Sequence, residues 1–320
     1  MKAAYCSQAG GPEVLTYGDV ADPVIGYGDV LVRVEAVSIE GGDVISRRIG
    51  QPASERHVVG YQAGGVVAAV GAAVTRFSPG QRVVAHAAFG SHAELFAAPE
   101  AQCFAVPDDV PMDVAATVPV TFGTAHDALF EFGKLAAGET VLIQGAAGGV
   151  GVACVQLAKR AGATVIGTAH GADRLERLRG LGLDHGIDYA REDIGARTKE
   201  LTGGRGADLV VDMAGGKGLA QLLAALAYRG RFAAIGGSSG EFPVFTFRDL
   251  LAKNLTVIGV YLALEIGTSR IRDAIAAYYS EIAAGQLVMP IDRVFPLSQA
   301  AEAHAHVERG HPFGRVLLHP

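Results

Sequence analysis

The 320-residue sequence predicts an α/β protein of two domains, a β-barrel and a doubly wound parallel sheet. Three observations predict it. The apolar run Val141-Leu142-Ile143-Gln144 enters a glycine-rich turn and leaves it as a helix. From about residue 124 strand and helix patterns alternate, which implies parallel strands with both faces covered. The first 120 residues instead carry short apolar runs bounded by glycine or proline.

Asp29 to Ser38 alternates in the Val30, Val32, Val34 register of a half-buried strand. Gly64 to Gly71 and Gly80 to His86 read as further strands of an antiparallel, barrel-like unit. Beyond them, Thr140–Gln144 is predicted as a buried strand, Gly149–Ala161 as a helix and Thr164–Thr168 as a second strand. Ala172–Gly180 is predicted as a helix, wet along Arg174, Glu176, Arg177 and Arg179. Strands Asp208–Asp212 and Arg231–Gly236 flank a helix over Lys217–Tyr228. Leu255–Leu262 is a last strand, too apolar for an open edge, and pairing with the same strand of a second subunit would cover it. Helix returns over Ile271–Ala284, followed by strand-like ends at Val294–Pro296 and Gly314–Leu318.

Composition excludes several classes. The 43 glycines are aperiodic, so they mark tight turns and not a collagen repeat. A net charge of −6 with scattered Lys and Arg argues against a nucleic-acid surface. Cys6, Cys103 and Cys154 form no C-x-x-C pair, consistent with a reducing compartment. The N-terminus lacks the apolar core of a signal peptide, and the uncharged stretch 140–158 is broken by its glycines. These features read as a cytoplasmic protein, not a membrane one.

The turn Gly145-Ala146-Ala147-Gly148-Gly149-Val150-Gly151 sits where a dinucleotide fold binds pyrophosphate on a helix N-terminus. Ala146 holds the place of the first glycine of G-x-G-x-x-G. Alone the motif is weak; the strand before it and the helix and strand after it support it. NAD specialists carry an acid about twenty residues beyond the turn. This chain has Thr168-Ala169-His170-Gly171 there, with Arg174 to meet a 2′-phosphate and Tyr189 to pack on the adenosine. The cofactor expected is NADP(H). The plainer alternative for Arg174 is a solvated helix face.

These residues resemble the zinc-free quinone oxidoreductase branch of the medium-chain dehydrogenase/reductase superfamily, the branch that includes zeta-crystallin. The resemblance runs end to end: Val118-Pro119-Val120 with Gly123-Thr124-Ala125, QGAAGGVG, VQLAKRAGATVIGTA, GGRGADLVVD, GRFAAIGGSSG and Phe313-Gly314-Arg315-Val316. It implies a GroES-like catalytic domain over 1–123 and 267–320, a Rossmann domain over 124–266, a cleft between them, and often a dimer. Carried over by position, Ala147, Gly148, Gly149, Val150 and Gly151 hold the pyrophosphate with Thr168 close by, and Thr124 faces the nicotinamide. Gly236, Gly237 and Ser238 form a loop past it. Arg174 and Arg315 each stand where the family commonly has Lys, Arg315 either reaching a cofactor phosphate or lying on the surface.

Zinc relatives place Cys at position 40 and a His-Glu pair at 61–62; this chain has Glu40, Tyr61 and Gln62. No metal is expected, and His57, His86, His92 and His126 match no zinc spacing. Without a Lewis acid an alkoxide lacks stabilisation, whereas a quinone or an activated C=C spreads the incoming charge onto oxygen. Candidate polarisers or proton donors are Tyr61, Glu40, Asp43 and Gln62. The alternatives are a packed aromatic for Tyr61, and for Glu40 and Asp43 pairing with Arg47 or Arg48. Position 40 is usually Asn in this family and position 45, Ile45 here, is often Tyr. A carboxylate at 40 disfavours an anionic substrate unless it is protonated. Three functions follow: a quinone oxidoreductase, a reductase of enones, acrylates or enoyl thioesters, or a nucleotide-binding structural or regulatory protein with little turnover.

Overall fold

The computed structural model describes residues 1–310 and 312–320. It divides into two compact units, Met1–Val120 with Ala263–Pro320, and Thr121–Leu262. Among the described residues no helix is long and apolar enough to cross a membrane.

The first unit opens with β1 (Lys2–Cys6), β2 (Thr16–Asp19) and β3 (Asp29–Ser38). β3 buries Val30, Val32 and Val34 and exposes Arg33 and Glu35, the alternation expected. It ends at Ser38, and two residues on Glu40 caps α1 (Gly41–Ile49), the Asp43 carboxylate accepting the Glu40 N–H at 2.8 Å. Arg47 and Arg48 in the last turn suit the negative helix end. β4 (His57–Val58), β5 (Gln62–Val70), β6 (Arg82–His86), β7 (Leu95–Pro99) and β8 (Cys103–Ala105) follow, then the single turn α2 (Met112–Ala115) and α3 (Val118–His126). Gly65 lets β5 close on β3, since a Cβ there would lie 2.0 Å from the Arg33 carbonyl oxygen.

The second unit runs β9 (Thr140–Gln144), α4 (Gly149–Arg160), β10 (Thr164–Ala169), α5 (Ala172–Arg179), β11 (His185–Asp188) and α6 (Ile194–Leu201). It continues with β12 (Ala207–Asp212), α7 (Leu219–Ala225), β13 (Leu226–Ala234), α8 (Phe247–Leu251) and β14 (Thr256–Gly259). All six strands are parallel, in the order β11-β10-β9-β12-β13-β14. The order reverses between β9 and β12, the arrangement of a doubly wound nucleotide fold. Leu142, Ile166, Val210 and Phe232 from neighbouring strands form its core with Ile194 and Leu222 from the helices. α7 is shorter than the expected Lys217–Tyr228 because Leu226 pairs with Ala207 and the chain extends into the sheet. β14 is shorter than Leu255–Leu262; its residues 256–259 form the ladder with β13 and the chain then leaves the edge.

The chain then returns to the first unit as α9 (Ser269–Ala283), β15 (Ile291–Pro296), α10 (Ala300–Arg309) and β16 (Arg315–His319). β16 joins β3, so the path of the large sheet is β15-β16-β3-β5-β6-β8, with β7 also on β3. The sheet is antiparallel throughout except for the parallel pair β15–β16. Its core gathers Val32, Ile39, Val83, Phe96 and Leu318 with Ala303 of α10.

Under this core His92 meets His304 of α10, Nε2 to Nε2 at 3.0 Å, both side chains shielded from water. One ring must donate and the other accept, so both cannot be protonated at once. Burial pushes His92 down to about 3, and burial, His92 and the Arg47 charge push His304 well below 6.5. The unfolded chain takes up these protons near pH 6.5 and the folded chain does not. Stability is therefore full above pH 6.5 and is lost as pH falls toward 3. Each histidine steepens that loss by up to about 1.4 kcal/mol per pH unit. Denaturant titrations between pH 7 and 4 check this, with His304→Gln expected to flatten the slope (pH range set by the titration window).

Candidate functional site

In the second unit the glycine turn is closed by backbone contacts. Gly145 adopts φ +75°, and its N–H donates to Thr168 Oγ1 at 3.2 Å, while the Ala146 N–H donates to the Thr168 carbonyl at 3.0 Å. Thr168 is fully buried and braces the turn from beneath. A Cβ on Gly151 would lie 2.4 Å from the Gly145 oxygen, so only glycine fits. At Gly148 the space is open, the nearest atom being that oxygen at 3.6 Å. No side chain caps α4, so its first N–H groups, at Gly149 and Val150 beside Ala147, are available to an anion. The cradle fits a pyrophosphate.

Beyond β10, Gly171 turns with φ +86° and Arg174 folds back to donate to the His170 carbonyl at 3.0 Å. The His170 ring lies 6.0 Å from that of Tyr189, which is 46% exposed. Arg174 and Tyr189 are thus brought to one loop cluster with His170, a residue the sequence reading did not single out. Asp188 nearby is engaged by the Ala190 N–H and by Arg191 at 3.7 Å. The Gly236-Gly237-Ser238 loop is pinned to the end of β12, the Ser238 N–H donating to the Met213 carbonyl at 3.3 Å. Thr124 is buried on α3.

In the first unit Glu40, Asp43, Tyr61 and Gln62 do meet, but with partners other than those expected. Glu40 pairs with Arg315 Nη2 at 2.7 Å and accepts from Ser38 Oγ at 2.8 Å. Arg315 Nε donates to Ser38 Oγ at 3.0 Å and Nη2 also to the Ile39 carbonyl. Two expectations are corrected. Arg315 is buried against Glu40, neither on the surface nor offered to a phosphate, and Glu40 does not pair with Arg47 or Arg48. Arg47 pairs instead with Glu308 of α10. Gln62 is also committed: its Nε2 donates to the Ala116 carbonyl at 2.7 Å and its Oε1 accepts the Val120 N–H at 3.0 Å. That leaves Gln62 no polarising role.

Asp43 and Tyr61 keep free capacity. Asp43 Oδ2 accepts the Glu40 N–H, and Oδ1 is buried with no partner. Burial, reinforced by Glu40, pushes its carboxyl well above the usual range. Tyr61 is half-buried, its hydroxyl lying against the backbone of Gly42, where a Cβ would come within 2.7 Å of it. Gly42 is a further residue the sequence reading missed. Burial and the Asp43 and Glu40 carboxyls push the phenol well above 10. Asp43 and Tyr61 line a hollow of about 300 Å³ with Cys6, Arg47, His57 and Phe89.

Residues 149–278 match the family described as zinc-binding dehydrogenase, and 26–108 the alcohol dehydrogenase GroES-like domain. A 2-haloacrylate reductase of a Burkholderia species is 31% identical over 99% of this chain and 98% of its own length. A quinone oxidoreductase of Pseudomonas aeruginosa is 32% identical, covering 97% of both chains. A mycobacterial structure complexed with NADPH superposes with a TM-score of 0.95 at 33% identity, covering both chains completely. The zinc of the family description does not fit this donor set. Glu40 is committed to Arg315, a neutral phenol and a spent amide hold positions 61 and 62, and among the described residues no three His, Cys, Asp or Glu side chains gather.

Removing Arg315 leaves Glu40 buried without its counter-ion. Arg315→Met should cost about 3–5 kcal/mol of unfolding free energy. Glu40→Met/Arg315→Met together should cost much less than the two single changes added, measured by urea denaturation.

Proposed function

The chain belongs to the quinone oxidoreductase branch of the medium-chain dehydrogenase/reductase superfamily, and from that premise we propose that it is an NADPH-dependent reductase of a conjugated acceptor, a quinone or an activated C=C. The observation that carries this reading is that the second unit holds a glycine cradle and the first a site built from Tyr61, Asp43 and a self-neutralised Glu40–Arg315 pair. When bound, the cofactor supplies hydride. This chain's residues bind and orient: the N–H groups at Gly149 and Val150, beside the open space at Gly148, take the pyrophosphate, and Arg174 with Tyr189 takes the 2′-phosphate end. Gly236, Gly237 and Ser238 with Thr124 shape the nicotinamide side. Tyr61, kept protonated, donates to the acceptor oxygen where charge develops, and Asp43 supports it.

A conjugated acceptor suits this donor set because its charge moves to an oxygen that hydrogen bonds can hold. NADPH consumption against a panel of ortho- and para-quinones, enones and acrylates tests the reading. Turnover of at least one class is expected, and tight NADPH binding without turnover would leave a structural or regulatory protein. Arg174→Ala should weaken NADPH about tenfold while hardly changing NADH, the loss of one charge-assisted contact. Equal weakening of both would overturn the role given to Arg174.

The protein is further proposed to be a cytoplasmic homodimer. Its three cysteines are free and buried. β14 is the sheet edge, and Phe242, Val244, Phe247 and Tyr261 near it are each more than 60% exposed. Pairing β14 with its copy would cover them. Light scattering should give twice 33.0 kDa, and Ile258→Lys should halve it.

A further inference from the structure

Arg47 on α1 is the largest fully buried side chain in the protein, and it lines the hollow described above. Its Nη2 meets Glu308, and Gly10 donates its N–H to the Arg47 carbonyl. Stitching α1 to α10 uses that one guanidinium nitrogen. Nε and Nη1 are buried and have no hydrogen-bond partner. Leaving two donors of a buried cation unmatched is costly, so a purely structural stitch is a poor account of this residue.

Burial disfavours charge on the other titratable groups of the lining. Burial pushes Asp43, Tyr61 and Cys6 up and His57 down, each toward its uncharged form. Beyond Glu308, the charges acting on Arg47 are Glu13, which favours its protonated form, and Arg48, which opposes it. Glu40, whose carboxylate would repel an anion, is closed by Arg315. A hollow of about 300 Å³ walled by a buried cation with two unmatched donors selects a small acceptor-rich anion.

We propose that this hollow takes a small α,β-unsaturated carboxylic acid as its carboxylate, with the Arg47 guanidinium as the group that holds it. The proposal rests on the reductase reading and narrows its acceptor class. Hydride and proton add across the C=C, the carboxylate is unchanged, and Arg47 binds without exchanging a proton.

Binding is tested apart from turnover, on protein without cofactor, by calorimetry with propionate and propionamide as the saturated acid and its neutral isostere. Wild type should prefer propionate by roughly tenfold, as one charge-assisted contact allows. Arg47→Gln should abolish the preference. Glu308→Gln, which removes the internal carboxylate and keeps the cation, should enlarge it. Equal binding of acid and amide by wild type overturns the proposal, as does a preference that survives Arg47→Gln. Should Arg47→Gln fail to fold, Glu308→Gln decides: a larger preference upholds the proposal and an unchanged one overturns it. With NADPH, wild type should also favour acrylate over acrylamide in kcat/KM. If no acceptor turns over, the reductase reading fails while the calorimetric comparison still stands.

Discussion

The first unit depends on the buried ion pair between Glu40 and Arg315. It joins residues 38–40, at the end of β3, to the first residue of β16, and so ties an early strand to the C-terminal one. Taking two charges out of water is expensive, and the attraction offsets it only when the remaining donors and acceptors are filled. Here Ser38 serves both partners and the Ile39 carbonyl takes a further N–H. Because Glu40 is also the residue before α1, the pair fixes where that helix starts. Asp43, Ser46 and Arg47 then line the hollow from one helical face.

In the second unit the corresponding constraint is a turn with no room for side chains. Gly151 is required by the Gly145 oxygen, and the turn is sewn to Thr168 by two hydrogen bonds. The alanine at 146, in place of the usual first glycine, is accommodated from the neighbouring strand. A Cβ on Gly167 would lie 2.9 Å from the Ala146 Cβ, so glycine on β10 leaves space for the methyl on the turn. The motif and the strand beside it are one packing unit.

Local patterns made much of this legible. The alternation in β3 and the strand–turn–helix of the glycine motif each depend on residues close in sequence, and both stand where they were expected. α7 and β14 were read too long because sheet pairing, a long-range term, ends each of them. The polar partnerships were the least readable. Arg47 has Arg48 and Asp43 near it in sequence but bonds to Glu308, 261 residues away, and Arg315 bonds to Ser38, 277 away. No periodicity reports such contacts. His92, which matches no zinc spacing in the sequence, forms a core pair with His304 for the same reason.

Arginine at position 47 follows from the surroundings it must tolerate. Burial works against its charge, and a lysine in the same shielded place would readily give up its proton. A guanidinium is weakly hydrated and keeps its charge, so it can hold one carboxylate through Nη2 and still offer Nε and Nη1. Its field also reaches the core, where it helps hold His304 neutral, and Cys6, whose thiol it pulls down against the stronger effect of burial. A persistent cation therefore both orders the interior of the first unit and marks the wall of the hollow toward which an anion is drawn.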